Sequence, residues 1–283
     1  MSGGDECVPC RRGVSHGGIV PDTRSPTGDT RKRQPRDAHG IVSAVSAEPL
    51  LVLTFNVFNH AEGEAAFAGR MGAISDLILG LAPDVVCLQE VPNPDVARAF
   101  AFGLSQRKEW AMRVALTEMR RPDGWREYLA IIHPGTAAAA RTIAAPTGEH
   151  IGIAVTLAAS KVTVVSAHLN PHSAEARHAQ ARCLLDALPG NGPALLCGDL
   201  NAAPGGGTLK LLEGKLDLLA PDTGGPPTFP TGLRTEIQGE PAILDYILGR
   251  AVAMEERGIA GADEVNGRWA SDHAAVWARV RVG

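Results

Sequence analysis

The chain has 283 residues, of which 45% are hydrophobic and 20% charged, a balance that excludes wholesale disorder and fits a globular protein. No stretch approaches the ~20 consecutive apolar residues of a membrane helix, so no transmembrane segment is expected. The formal net charge of −4 speaks against attachment to nucleic acid by bulk positive charge and leaves room for an enzyme with a local basic cleft.

In chain order, residues 1–48 come first. They carry seven basic side chains between Arg11 and Arg36 against six acidic ones and show no apolar period, so a disordered tail is expected. Cys7 and Cys10 form a single CxxC with no second Cys or His pair to complete a zinc site. Ile41–Ala47 is too broken by serines to serve as a secretory signal, and a cytoplasmic location is expected. Residues 49–283 hold 20 basic and 25 acidic side chains and no further composition break, which predicts one mildly acidic domain.

Leu50–Phe58 is a near-continuous apolar run, as in a strand buried on both faces. Phe67, Met71, Ile74, Ile78 and Leu81 recur at helical steps until Pro83 ends the helix. Further strands are predicted at Val85–Leu88, Trp110–Met119, Tyr128–Ile132, Ala194–Cys197, Ile243–Leu248 and Ala274–Val282. Ile151–Leu157 and Lys161–His168 pair as a hairpin, and Ser173 caps a helix to Leu188. Strands joined partly by hairpins and partly by helices predict an α/β (α+β) domain with mixed sheets covered by helices.

Polar groups interrupt these apolar strands at their ends. Asn56 follows Leu53-Thr54-Phe55; Gln89 and Glu90 follow Val85–Leu88; His168 follows Val164–Ala167; Asp199 and Asn201 follow Leu195–Gly198. Asp245 lies between Ile243-Leu244 and Tyr246-Ile247, and Asp272-His273 precede Ala274–Val276. A buried lone carboxylate costs several kcal/mol unless it is paired or binds a cation. A shared hard divalent cation with oxygen ligands, Mg²⁺ or Mn²⁺, is the economical partner. Two histidines added to such a site fit hydrolysis of a phosphate ester, with metal offsetting phosphate charge and water oriented for in-line attack.

The strings LTFNVFNH (53–60), PDVVCLQEV (83–91), VVSAHLNP (164–171), LLCGDLNAAP (195–204), TFP (228–230), ILDYIL (243–248) and SDHAAVWARV (271–280) resemble, in order, those of the endonuclease/exonuclease/phosphatase superfamily. The resemblance spans residues 50–282 and implies a four-layer αββα sandwich, two mixed β-sheets packed face to face with helices outside. It implies Mg²⁺ (or Mn²⁺) held by Asn56, Glu90 and Asp272, with Glu90 the direct carboxylate ligand. His273 becomes the catalytic imidazole oriented by Asp245, Asp199 positions or deprotonates the attacking water, and Asn201 binds a phosphoryl oxygen. His168 stabilises the charged transition state. A further local match, Arg126–Ile131, pairs Glu127 with His168; the alternative is a solvated residue at a strand start.

The expected partner is a phosphate-ester substrate, either nucleic acid or a small phosphorylated molecule, and no protein partner is expected. Phe58 stands where apurinic-site endonucleases carry an acid, and Ala242-Ile243 where many members carry a basic residue; both departures weaken an abasic-DNA assignment. A non-catalytic binding module on the same scaffold is disfavoured, because Glu90, Asp199, Asp245 and His273 are all present. His60 and His133 read as loop or surface histidines, and His172 and His178, near the start of the helix after His168, either line the cleft rim or are solvated. Trp269 either stacks on substrate or packs on Trp277. Arg177 and Gln180 share a helix face, where Arg177 either reaches a phosphate or is solvated.

Overall fold

Residues with no polar side chain to turn toward water form the centre of each sheet. Leu50–Asn56 (β1) and Val85–Val91 (β2) are buried on both faces and run parallel, in register from Val52–Val85 to Asn56–Gln89. These strands belong to a computed structural model that describes residues 48–58, 63–120, 124, 126–137, 139–234 and 240–283, all within the unit Ser46–Gly283. The tail up to residue 47, with its Cys7–Cys10 pair and its Ile41–Ala47 stretch, lies outside the described residues, as does His60.

Helix α1 (Gly63–Leu81) connects β1 to β2. The order then runs α2 (Pro94–Lys108), β3 (Met112–Arg120), β4 (Arg126–Pro134), β5 (Arg141–Ala144), β6 (His150–Thr156) and β7 (Thr163–His168). It continues through α3 (Ala174–Ala187), β8 (Ala194–Asp199), α4 (Gly207–Glu213), β9 (Asp217–Ala220), β10 (Asp245–Arg250), β11 (Val252–Ala260) and β12 (Ala275–Val282).

The strands form two six-stranded sheets, ordered β11-β12-β1-β2-β4-β3 and β5-β6-β7-β8-β10-β9. Each has one parallel pair at its heart, β1/β2 and β7/β8, and antiparallel pairing elsewhere, so both sheets are mixed. Their inner faces share one core containing Val52, Cys87, Ile131, Val164, Cys197 and Ile247. On the outer face of the first sheet, Phe67, Ile74 and Ile78 of α1 and Phe100 and Leu104 of α2 pack against Leu53, Phe55 and Val86. On the second, Ala181 and Leu184 of α3 and Leu209 and Leu212 of α4 pack against Val165, Leu196 and Leu248. The result is the expected αββα sandwich, each layer present because each element has an apolar face to bury.

Two helices and three strands, α2, α4, β5, β9 and β11, are not predicted from the sequence. Helix α2 opens with Asn93 accepting from the backbone N–H groups of Asp95 and Val96 and with Pro94 in its first turn, a strong start signal. Its apolar stripe is blurred by Phe102, which faces solvent at 68% exposure. Strands β5 and β9 span only four residues each, α4 starts on the last glycine of the run Gly205-Gly206-Gly207, and β11 is an edge strand whose middle is exposed and charged.

Candidate active site

The parallel pairs deliver the carboxyl ends of β1, β2, β7 and β8 to one end of the sandwich. Antiparallel pairing brings the amino ends of β4, β10 and β12 to the same end. Asn56 thus closes β1 beside Gln89, His168 pairs in register with Asp199, and Asp199 with Asp245. Glu90 sits at a bulge where the β2–β4 register shifts between Leu88 and Val91, with φ of +54°. A non-glycine residue pays for that conformation with strain, and here the kink carries Glu90 out of the alternation of the strand. Asn201 just beyond β8 is likewise left-handed, at φ +48°.

Glycine is required at position 198. A Cβ there would lie 1.9 Å from the carbonyl oxygen of Ala167, and the residue's φ is +152°. The close approach of β7 and β8 sets the spacing of His168 and Asp199, the next residue on each strand.

Asp199 Oδ2 is the hub. Asn56 Nδ2 donates to it at 3.1 Å and to Glu90 Oε1 at 3.2 Å, which joins the two sheets. His168 Nε2 lies 3.6 Å from the same oxygen and His273 Nε2 3.7 Å. Asp199 Oδ1 accepts from the backbone N–H of Asn201 at 2.9 Å, and Asn201 Nδ2 donates to the Leu169 carbonyl at 3.0 Å. His273 Nδ1 and Asp245 Oδ2 are hydrogen-bonded at 2.9 Å. Glu127 is fully buried, which removes the solvated reading, and its Oε1 is 3.6 Å from His168 Nδ1, an ion-pair distance longer than a hydrogen bond. Asp272 is buried beside them, and its carbonyl accepts from the N–H of Thr231. All nine sequence-derived residues therefore gather at one end of the sandwich, and eight of them are at most 8% exposed; Asn201 is half-buried.

The electrostatics follow from that crowding. Burial pulls both imidazoles toward the neutral form, but the surrounding carboxylates outweigh it. Glu127, Asp199 and Glu90 raise His168 to about 9, while Asp245, Asp199 and Asp272 raise His273 to about 10. Burial pushes the Asp245 carboxyl up against the opposing pull of His273.

The residues present suit a divalent cation. Asn56, Glu90, Asp199 and Asp272 are buried oxygen donors, the set a hard cation takes. Asp245 Oδ1 is buried without a hydrogen-bond partner, and ligand atoms of Asp199, Asp245 and His273 lie within 4.8 Å of one another, so this group could hold a metal ion.

Several residues support the site without having a role in the sequence pattern alone. Thr228 Oγ1 accepts from the backbone N–H groups of Leu244 and Asp245, and the Phe229 ring lies 4.7 Å from that of His273; the TFP string was the visible signal. Ser271 Oγ donates to the Asn56 carbonyl at 2.7 Å and accepts from the N–H of His273. Gln89 Nε2 donates to Ser166 Oγ across the sheets at 3.1 Å. Arg70, on the buried stripe of α1 between Phe67 and Ile74, is the least expected.

Other expectations need correction. His133 is buried in β4, since its strand is covered on both faces, and is held toward the neutral form by that burial. The Trp269 indole lies over Gly232 and that of Trp277 over Gly258, where an added Cβ would meet the rings at 2.2 and 2.7 Å. Gln180 is buried and accepts from the N–H of Asn170, and Arg177 donates to the carbonyls of Asn170 and Pro171, so both clamp the loop after His168.

A family model described as the endonuclease/exonuclease/phosphatase family matches residues 53–273, and the chain belongs to that family, whose members are hydrolases acting on phosphoester bonds. Among solved structures, it is similar to an endonuclease/exonuclease/phosphatase from Bacteroides vulgatus at 15% identity, over 83% of this chain and 99% of that one, with a TM-score of 0.65. A functionally unknown conserved protein from Enterococcus faecalis V583 aligns at 23% identity over 83% and 100% of the two chains, with a TM-score of 0.62. The human nocturnin catalytic domain with bound sulfate aligns at 18% identity over 84% and 95%, with a TM-score of 0.60. At these identities the likeness establishes the shared fold. No curated protein sequence matches the chain significantly. Among the described residues no helix is long and apolar enough to cross a membrane.

Proposed function

We propose that residues 49–283 form a Mg²⁺-dependent phosphodiesterase of nuclease-like chemistry. The observation that carries this reading is the convergence of Asn56, His168 and His273 on one oxygen of Asp199, with two carboxylate-backed imidazoles facing the same point.

Asn56, Glu90 and Asp272 would hold the cation. The Asp245 side is less suited, because an ion there competes with the 2.9 Å hydrogen bond to His273 Nδ1. What a bound divalent cation supplies is offset of the negative charge on the phosphate and leaving oxygens. The chain's own residues do the rest. Asp199 accepts a hydrogen bond from the attacking water and takes its proton as the new P–O bond forms and the bond to the leaving oxygen breaks, the departing alkoxide taking its proton from solvent water. Asp245 fixes His273 with Nδ1 toward the carboxylate, leaving Nε2 to donate to a phosphoryl oxygen. Glu127 backs His168 from the longer distance of 3.6 Å, and the carboxylates around both rings favour their protonated forms, so the two imidazoles stabilise the added charge of the transition state. Asn201 has a second N–H, beyond the one given to Leu169, for a phosphoryl oxygen. The sulfate bound to nocturnin is a tetrahedral oxyanion of phosphate shape, in keeping with this chemistry.

One observation favours a small phosphorylated metabolite or lipid headgroup as substrate over nucleic acid. With 20 basic against 25 acidic residues, the body carries no excess of positive charge to neutralise a polymer backbone. Cys87, Cys183 and Cys197 are free thiols, suited to a reducing compartment, and we place the protein in the cytoplasm. The test is a nuclease and phosphate-release screen with Mg²⁺ and Mn²⁺ on wild type, Glu90→Ala and His273→Ala. Cation-dependent turnover lost in both variants supports the assignment, cleavage of plasmid DNA selects the nuclease, and turnover of small esters alone selects the metabolite enzyme. Full activity in either variant refutes the site.

A further inference from the structure

Arg70 carries a positive charge into the interior of the first sheet's helical layer, where it is only 7% exposed. Its Nη1 donates to the carbonyl of Val57 at 3.0 Å and to that of Ala270 at 2.6 Å, and its Nη2 donates to the carbonyl of Phe58. The guanidinium lies over two rings, 5.3 Å from the centre of Phe58 and 5.4 Å from that of Phe67. A buried cation is tolerated only when its donors are used, and these are used on the main chain of two separate loops.

Those loops are the two that flank the site. Val57 and Phe58 follow Asn56 directly, and the Phe58 N–H donates to Asn56 Oδ1 at 3.0 Å. Ala270 precedes Ser271-Asp272-His273, and Ser271 Oγ returns to the Asn56 carbonyl. Phe58 adopts a left-handed φ of +52°, so the turn that places Asn56 does not rest in its preferred backbone basin. A planar fork with five donors can bridge both loops at once, whereas a lysine ammonium, a compact charge on a flexible stem, cannot reproduce the geometry.

We propose that Arg70 is a positioning residue for the cation centre: it locks the loop after β1 to the loop before β12 and so fixes the distance between Asn56 and Asp272. It touches neither substrate nor cation. This inference rests on the proposed placement of the cation at Asn56, Glu90 and Asp272. It also accounts for Phe58, the departure from the apurinic-endonuclease pattern, whose side chain here serves as a platform under the guanidinium.

The experiment measures Mn²⁺ binding to the full chain by electron paramagnetic resonance and by calorimetry, beside thermal unfolding. It uses wild type, Arg70→Lys, Arg70→Gln and Leu212→Ala, the last a cavity in the core beneath α4 on the opposite outer face. Arg70→Lys should bind Mn²⁺ about 10- to 100-fold more weakly, as for other residues that orient metal ligands. Leu212→Ala should lose comparable thermal stability while keeping wild-type Mn²⁺ affinity. In steady state, Arg70→Lys should need proportionally more Mg²⁺ for half-activation and show little change in KM for the ester at saturating Mg²⁺. If Arg70→Gln does not fold, Arg70→Lys alone decides. Wild-type Mn²⁺ affinity in folded Arg70→Lys overturns the proposal, as does an equal loss in Leu212→Ala. Absence of Mn²⁺ binding by wild type, or its survival in Glu90→Ala, instead overturns the cation placement.

Discussion

The substitution Gly198→Ala probes the link between sheet packing and chemistry most directly. The added methyl would sit 1.9 Å from the Ala167 oxygen, 2.8 Å from its carbonyl carbon and 3.0 Å from its nitrogen, all backbone atoms with no rotamer to escape into. Relief to an ordinary approach of about 3.3 Å demands that β7 and β8 separate locally by roughly 1.4 Å. Ladder hydrogen bonds span about 2.7–3.2 Å, so at least two near this point break in a dry core, at about 1–3 kcal/mol each. Leaving the +152° backbone basin adds strain, and the total is about 4 kcal/mol or more. In urea, with a slope of about 3 kcal/mol per molar, the midpoint falls by about 1.3 M. Gly190→Ala, where a Cβ meets open space, serves as the control and should change stability by less than about 0.5 kcal/mol. Any Gly198→Ala that remains folded should also lose turnover, because the registered His168–Asp199 pair opens with the strands. A midpoint within 0.2 M of wild type, on the order of the extrapolation error, would refute this reasoning.

Asp245→Asn should leave Mn²⁺ affinity unchanged while lowering kcat by about 10²- to 10⁴-fold, the range for a positioned acid–base group; a large loss of metal affinity would contradict its orienting role. Glu127→Gln removes the charge behind His168 and should lower kcat less than Asp245→Asn, since its 3.6 Å contact is the looser of the two; the comparison of the two kcat values decides. The metal-free protein should be less stable at pH 10 than at pH 6.5. Both histidines have folded values, about 9 and about 10, above the ordinary 6.5, so their contribution is complete below 6.5 and is lost as pH rises through the folded values. Urea unfolding across that window should show the fall, and the His168→Gln/His273→Gln double variant should flatten it.

The elements that the sequence made plain were those with one unambiguous demand. Strands β1, β2, β7 and β8 are buried on both faces, so only apolar residues serve, and any polar residue among them stands out. That is why Asn56, Glu90, His168 and Asp199 could be picked from the chain before any geometry. Strand β11 made no such demand: Glu255 and Glu256 pair with Arg281 and Arg279 across an exposed face, which reads as loop in one dimension. Glu127 is a different case, since a charged residue opening a strand looks solvated until the second sheet is laid over it. Arg70 was hidden for the opposite reason. An arginine at a helical step from Phe67 and Ile74 looks like a break in the apolar stripe, and only the carbonyls of two distant loops explain it.

The order of strands in the first sheet has a consequence for how the centre comes into being. Strand β12 inserts between β11 and β1, so residues near positions 50 and 280 are neighbours while the whole second sheet is built from the chain between them. Asp272 and His273 enter just ahead of that strand. During synthesis the segments bearing Asn56, Glu90, His168, Asp199 and Asp245 can all have emerged while the centre still lacks an imidazole and a carboxylate. The last described strand therefore acts as a closing stitch, and nascent chains halted before residue 272 should be unable to complete the cation-binding constellation.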